Sequence, residues 1–317
     1  MTKIFLLFLV AGIAGAVIAS IWQHLRYLRV RRERVDDRQP LLYPGSTFHT
    51  VTLLKVEAAL GREGELATLR ALRAAIEAPG GGRVVYAGLV GVTMAESTQL
   101  ANDWSAVVLA QYPSRDACDR WHESADVGQV LGGCERSYVH GFKRSALLNL
   151  MLPIMLGAVR LRDIVLRRKP ILPFEPLADE DALPPIQMKR KEILKLDDYR
   201  DLRDDAIVIV NLIQPGTAQQ RAADSAYTQE MMRGMAEGGY GPMHMGRAVG
   251  VEGKDDERGE GEHRFKQFAA VYYPGIDHMH AMIGSAFINR IGPGKQLGDT
   301  LAVATIPVLS KLGGANE

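Results

Sequence analysis

Apolar positions along the chain fall into blocks, and the series of blocks occurs twice. The run from Phe48 to Val56 is rich in β-branched residues and reads as a strand. Leu66, Leu69, Leu72 or Arg73, and Ile76 then recur at helical spacing and stop at Gly80-Gly81-Gly82. A second strand covers Tyr86 to Val92. A third, starting at Trp104, ends at Tyr112-Pro113, because proline cannot donate to a ladder. A short helix over 115–124 and a strand near Glu135 to Arg144 close the series.

The second series opens with a strand from Ala206 to Ile213. Ala223, Tyr227, Met231, Gly234 and Met235 follow at helical spacing and stop at Gly238-Gly239. Strands at Met245 to Val251 and Phe265 to Tyr273, a short helix over 276–284, and a strand from Thr300 to Val308 complete it. Val90-Gly91-Val92 answers Val249-Gly250-Val251, and Tyr112-Pro113 answers Tyr273-Pro274. Each half therefore predicts a βαββαβ, ferredoxin-like unit.

The third strands are apolar on both faces. In the first half Trp104, Ala106, Val108, Ala110 and Tyr112 line one side, and Val107 and Leu109 the other. A strand with one wet face would alternate. The sheet face away from the helices is thus covered, and the cover expected is the other half's sheet. The fold class expected is α+β: an N-terminal transmembrane helix and two ferredoxin-like repeats that pair within one chain as a pseudo-dimeric eight-stranded barrel.

These features resemble the dimeric α+β barrel superfamily. Within it, Tyr112-Pro113-Ser114-Arg115-Asp116-Ala117 is similar to a family of unknown function whose third strand ends in Tyr-Pro-Ser-Arg. Lys295-Gln296-Leu297-Gly298-Asp299-Thr300, with Val303 and Pro307, resembles that family's last strand. The resemblance covers roughly 48–144 and 205–309. The second half departs from it with Gly275-Ile276-Asp277 after Tyr-Pro. The resemblance implies either a ligand-binding barrel or a cofactor-independent oxygenase or isomerase; some barrel relatives bind haem through a histidine.

Two segments lie outside the repeat. Ile4 to Trp22 carries no charge and, at about 1.5 Å per residue, would span roughly 28 Å as a helix. Arg26, Arg29, Arg31, Arg32 and Arg34 follow it, against only Lys3 before it. This predicts a single-pass inner-membrane anchor with the soluble part in the cytoplasm. A cleaved signal ending at Val17-Ile18-Ala19 is the competing reading, disfavoured by the flanking charges. The second segment starts with Ala146 to Val159, apolar but for Asn149. Basic residues and a proline-rich stretch follow, so an interfacial helix or one packed on the barrel is expected, then a stiff linker. The organisation expected is anchor and basic flank at 1–34, first repeat at 46–144, connector at 145–204 and second repeat at 205–310.

Composition narrows function by exclusion. Basic residues number 38 and acidic 37, which gives no global attraction to nucleic acid. Two cysteines exclude a disulfide scaffold and a cysteine-rich zinc module. No phosphate loop, nucleophile elbow or His-Glu-x-x-His motif occurs. His278 and His280 point apart on a helix and do not share a metal easily, so no metal is expected.

The candidate site residues are Tyr112, Arg115, His122, Tyr273 and His278. A tyrosine hydroxyl at a barrel mouth with arginine beside it could orient an anionic or enolic substrate; the alternative is that Tyr112 caps the core and Arg115 pairs on a helix. His122 could face a cavity. No cofactor is expected, haem being the alternative. The function expected is binding of a small apolar or aromatic molecule in the barrel, with a cofactor-independent monooxygenase or isomerase and a membrane-associated scaffold or assembly protein as alternatives. The expected partners are a lipid bilayer and a small molecule, with a membrane protein as a further candidate and no nucleic acid. Whether the chain is an enzyme stays open at this point.

Overall fold

A computed structural model describes residues 2–177, 190–249 and 265–313. The last two residues of the strand expected over Met245 to Val251, the segment 252–264 and part of the proline-rich stretch fall outside those residues. Eight strands form one closed antiparallel barrel. They are β1 (Phe48–Lys55), β2 (Arg83–Ala95), β3 (Ala106–Tyr112), β4 (Arg136–Lys143), β5 (Ile207–Ile213), β6 (Gly241–Ala248), β7 (Gln267–Tyr273) and β8 (Thr300–Pro307). The order around the barrel is β1-β3-β2-β8-β5-β7-β6-β4. Each half is thus a four-stranded ferredoxin-like sheet. The halves join along β2 and β8, from Gly88 opposite Pro307 to Ala95 opposite Ala302. On the other side, among the described residues, Phe142–Ala248 and Lys143–Arg247 pair, and the Val249 N–H donates to the Gly141 carbonyl at 2.9 Å.

Helices cover the outside. In the first half α2 (Gly61–Ile76) lies over the sheet with α3 (Arg115–His122) and α4 (Ala125–Gly132). The short helix expected over 115–124 is therefore two helices, because Ser114 and Ser124 each accept from a backbone N–H of the turn they open. In the second half α6 (Ala218–Gly238), α7 (Ile276–Ile283) and α8 (Ala286–Ile291) take these places, with α5 (Leu148–Val165) and α1 (Thr2–Glu33) beside them. A capping box of Thr217 and Gln220 starts α6, and Gly239, in the left-handed conformation, ends it.

Strand alternation sorts side chains into lumen and helix layer. His49, Val51, Leu53, Val107, Leu109 and Gln111 face inward, as do Phe142, Val210, Leu212 and Phe268, and the Phe142 and Phe268 rings stack across the lumen at 4.2 Å. The lumen is filled with side chains rather than open. Phe48, Val84, Val108, Ala110 and Tyr112 face α2, α3 and α4 in a separate apolar cluster.

The N-terminal segment corrects the expected membrane span. Among the described residues no helix is long and apolar enough to cross a membrane. Ile4 to Trp22 is instead the first part of a 32-residue helix that continues without a break through the arginine-rich flank. Its described turns carry exposed Arg26, Arg29, Arg32 and Glu33, which hydrocarbon does not accept, and Tyr27 and Arg31 are buried against the protein.

The chain leaving α1 crosses one end of the barrel. Val35, Asp36, Asp37 and Gln39 are buried there, and the Arg38 N–H donates to the Val85 carbonyl at 2.8 Å. Behind this strap lies a polar cluster. The Asp37 carboxylate accepts from Arg31 Nε at 2.8 Å and from Gln39 Nε2 at 2.9 Å, and stands 3.4 Å from His244. Arg144 donates to Asn149 at 2.8 Å and contacts His244 Nδ1 at 2.8 Å.

The connector helix α5 packs on α6 and α1 through Asn149, Leu152, Pro153 and Leu156. Its opposite face is also apolar: Leu147 before it, then Met151, Ile154, Leu161 and Val165, are exposed.

Candidate functional site

The two Tyr-Pro tyrosines end equivalent strands, and neither faces the lumen. Tyr112 points into the first helix layer, its ring 5.2 Å from that of Trp121. The Thr50 hydroxyl is its polar neighbour, and burial holds the Tyr112 hydroxyl well above the ordinary tyrosine range. Gly82 stands so close that a Cβ there would lie 2.6 Å from the Tyr112 ring. Leu66, Leu69, Leu72, Ile76, Trp121 and Leu309 fill the rest of that layer. No room for a ligand remains around Tyr112.

Tyr273 has different surroundings. Its ring packs 5.5 Å from that of Tyr240, and its other side lines a cleft of about 990 Å³. The cleft lies between the outer face of the second sheet and its helices. Ile209, Tyr227, Tyr273, Met282, Ile283 and Ile288 form its apolar wall. Met94, Ala95, Glu96 and Thr98, from the end of β2 and the loop after it, contribute the first repeat's share. Gly292, Pro293 and Lys295 form a further side, where a Cβ added at Gly294 would lie 3.5 Å from the Tyr227 Cβ. The glycine-proline turn before the last strand is thus a wall of the cleft.

Asp299 fixes the rim across the two repeats. Its carboxylate accepts from the Ser97 hydroxyl at 2.6 Å, the Thr98 N–H at 2.7 Å and the Thr98 hydroxyl at 3.1 Å. Burial works to raise its pKa, and these hydrogen bonds outweigh it and leave the pKa lowered. Burial also pushes the Tyr227 and Tyr273 hydroxyls upward, Tyr273 with help from neighbouring Tyr227 and Tyr240, so both are protonated near neutral pH.

The two long helices differ where they meet their sheets. Where α2 directs Leu66, Leu69, Leu72 and Ile76 at its sheet, α6 carries Ala223, Tyr227, Met231 and Gly234. Of these four Tyr227 lines the cleft, while Gly234 faces Ile171, Tyr240 and Phe287.

The remaining candidates are scattered. Arg115 spends its guanidinium on Asp119 at 3.7 Å and the Val249 carbonyl at 3.3 Å, and lies over the Phe48 ring. His122 stands beside Trp121, ring centres 5.9 Å apart, in the first repeat's helix layer. His278 packs edge-on against Phe174 and Tyr240 on the far side of Tyr273, outside the cleft, and burial lowers its pKa to about 4. Cys118 and Cys134 are free, and burial raises both thiols, Cys118 to about 12. Of the five candidates the structure brings only Tyr273 to the cleft. Tyr227, Met282 and Asp299 are site residues that sequence reasoning saw only as helix pattern or strand motif.

Haem does not fit this site as it is built. No histidine or cysteine lines the cleft among the described residues, and its two tyrosines are held protonated, whereas a phenolate is the form that ligates iron. Among the described residues no group of three histidine, cysteine or acidic side chains could hold a metal ion.

No protein-family model matches the chain, and no curated protein is significantly similar to it. Solved structures share its outline weakly. A chlorite dismutase from Candidatus Nitrospira defluvii, in complex with imidazole, is 10% identical over 86% of this chain and 96% of its own, with a TM-score of 0.41. A dye-decolorizing protein from V. cholerae is 12% identical over 86% and 96%, with a TM-score of 0.42. A candidate monooxygenase from Lactobacillus acidophilus NCFM is 9% identical over 83% and 94%, with a TM-score of 0.38. The strand order of the chain itself makes it a ferredoxin-like α+β barrel in tandem duplicate.

Proposed function

We propose that the protein binds a small, largely apolar molecule in the cleft of the second repeat, between sheet and helices rather than inside the barrel. The observation that carries this reading is the inequality of two equivalent layers. The first is packed shut around Tyr112, and the second keeps about 990 Å³ beside Tyr273. That volume suits a drug-sized ligand, and mostly apolar walls with a few polar groups are what such sites share.

The test is titration of the full chain with N-phenyl-1-naphthylamine, a neutral probe that fluoresces in apolar surroundings. Saturable binding at one site is expected, weakened at least tenfold by Ile283→Phe, which fills the cleft. Non-saturable binding, or binding that Ile283→Phe leaves unchanged, would place the probe elsewhere and refute the proposal.

A further inference from the structure

The apolar walls account for the body of a ligand but not for two hydroxyl groups. Tyr273 is only 6% exposed, and its ring lines the cleft together with that of Tyr227. Tyr273 is held by ring packing on Tyr240, and no side-chain hydrogen bond acts on the hydroxyl of Tyr273 or of Tyr227. The hydroxyl of Tyr86, in the lumen, has Thr305 at 2.6 Å. Tyr227 is half-buried, and neither cleft hydroxyl is among the described buried polar atoms that lack a partner. Both are therefore open to the cleft, where a ligand atom can replace water as their partner.

The sign of that atom follows from the surroundings. Both hydroxyls keep their protons, so they can donate. Glu96 and Asp299 line the same cleft, with Lys295 the only basic side chain on its wall among the described residues. Lys295 also acts on Asp224, whose pKa burial raises and the Lys295 charge offsets in part. An anionic ligand would meet two carboxylates and one cation already engaged, whereas a neutral acceptor meets two donors.

We propose that Tyr273 and Tyr227 form the polar recognition point of the cleft, donating to a neutral carbonyl oxygen on a flat, otherwise apolar ligand such as an aryl ketone. This rests on the cleft being a ligand site and adds the class of molecule it takes. Carboxylates of the same shape bind less well, and hydrocarbons of the same shape lose only the hydrogen bonds.

Three probes of one outline test it by calorimetric titration of the full chain: 2-acetylnaphthalene, 2-isopropenylnaphthalene and 2-naphthoate. The ketone is expected to bind more tightly than the hydrocarbon by about fivefold for each net hydrogen bond, and more tightly than the carboxylate. Tyr273→Phe is expected to cut that preference by about fivefold, and Tyr273→Phe with Tyr227→Phe to bring ketone and hydrocarbon within about twofold, while hydrocarbon affinity stays unchanged and Tyr112→Phe leaves the ratio as in the parent. Equal binding of ketone and hydrocarbon by the parent protein overturns the tyrosine assignment and leaves the cleft standing. Loss of both probes in Tyr273→Phe makes the ring a wall only and also overturns it. Failure of all three probes to bind overturns the cleft reading with it.

Discussion

Asp37 is the residue on which closure of the barrel end depends, and its replacement should be the most damaging single change in the strap. Its side chain is fully buried and Arg31 is 3% exposed on its side chain. The carboxylate holds Arg31, accepts from the Gln39 backbone N–H at 3.2 Å and side chain at 2.9 Å, and faces His244 at 3.4 Å. Burial alone would raise its pKa; Arg31, His244 and the Gln39 N–H overcome this and bring it from 3.8 to about 2. At about 1.4 kcal/mol per pH unit, that shift corresponds to about 2.5 kcal/mol of stability. The folded pKa is the lower one, so the contribution is complete above about pH 4 and is lost as pH falls toward 2.

Asp37→Asn mimics the protonated acid permanently and should cost about 2.5 kcal/mol at pH 7. Asp37→Ala leaves the Arg31 charge buried without its partner and should cost about 3–5 kcal/mol. Removing both charges together, in Arg31→Met with Asp37→Leu, should recover most of that loss. Urea unfolding followed by fluorescence of buried Trp104 and Trp121 measures all three. A loss under 1 kcal/mol for Asp37→Ala, or a double variant no better than the single one, would show that the strap is not held by this pair.

Two further outcomes follow from burial. Burial lowers His244 and His278 from 6.5 to about 4, and His49 to about 2; protonation therefore favours the unfolded chain. Stability should fall as pH drops below about 6.5, and His49→Gln should flatten that slope by one proton's worth in urea midpoints taken between pH 7 and 4.5. On α5, Ile154→Lys with Leu161→Lys should leave the melting temperature within about 2 °C and reduce aggregation in light scattering, since both side chains point outward. Leu156→Ala, on the buried face of the same helix, should cost about 2–5 kcal/mol; equal effects from the two faces would contradict the packing of α5.

The duplication was legible because strand ends are written in local chemistry. Tyr-Pro stops β3 and β7 in corresponding places, and a third strand apolar on both faces requires a second sheet. What misled was reading Ile4 to Trp22 in isolation: local hydropathy carries no information about a helix that continues through arginines, docks Tyr27 on the Pro242 carbonyl of β6 and holds Arg31 on Asp37. The strap was equally hidden, since Arg31, Asp37, Gln39, Arg144 and His244 meet only in three dimensions.

The cleft had a sequence signal of another kind, which lies in the difference between the repeats rather than in their likeness. Matching Tyr112 to Tyr273 suggests two equivalent sites facing one lumen. The strand register turns both outward, and the layer above each decides whether space remains. Four large aliphatic residues on α2 help close one layer; in the other, Tyr227, Met282, Ile283 and Ile288 stand around open space. In a duplicated fold the two copies share the residues that build the barrel. A copy that gives up core volume loses packing stability, and a site that binds a ligand there recovers it by mass action. The layer that one repeat leaves unfilled is thus a better pointer to a site than any residue the repeats hold in common.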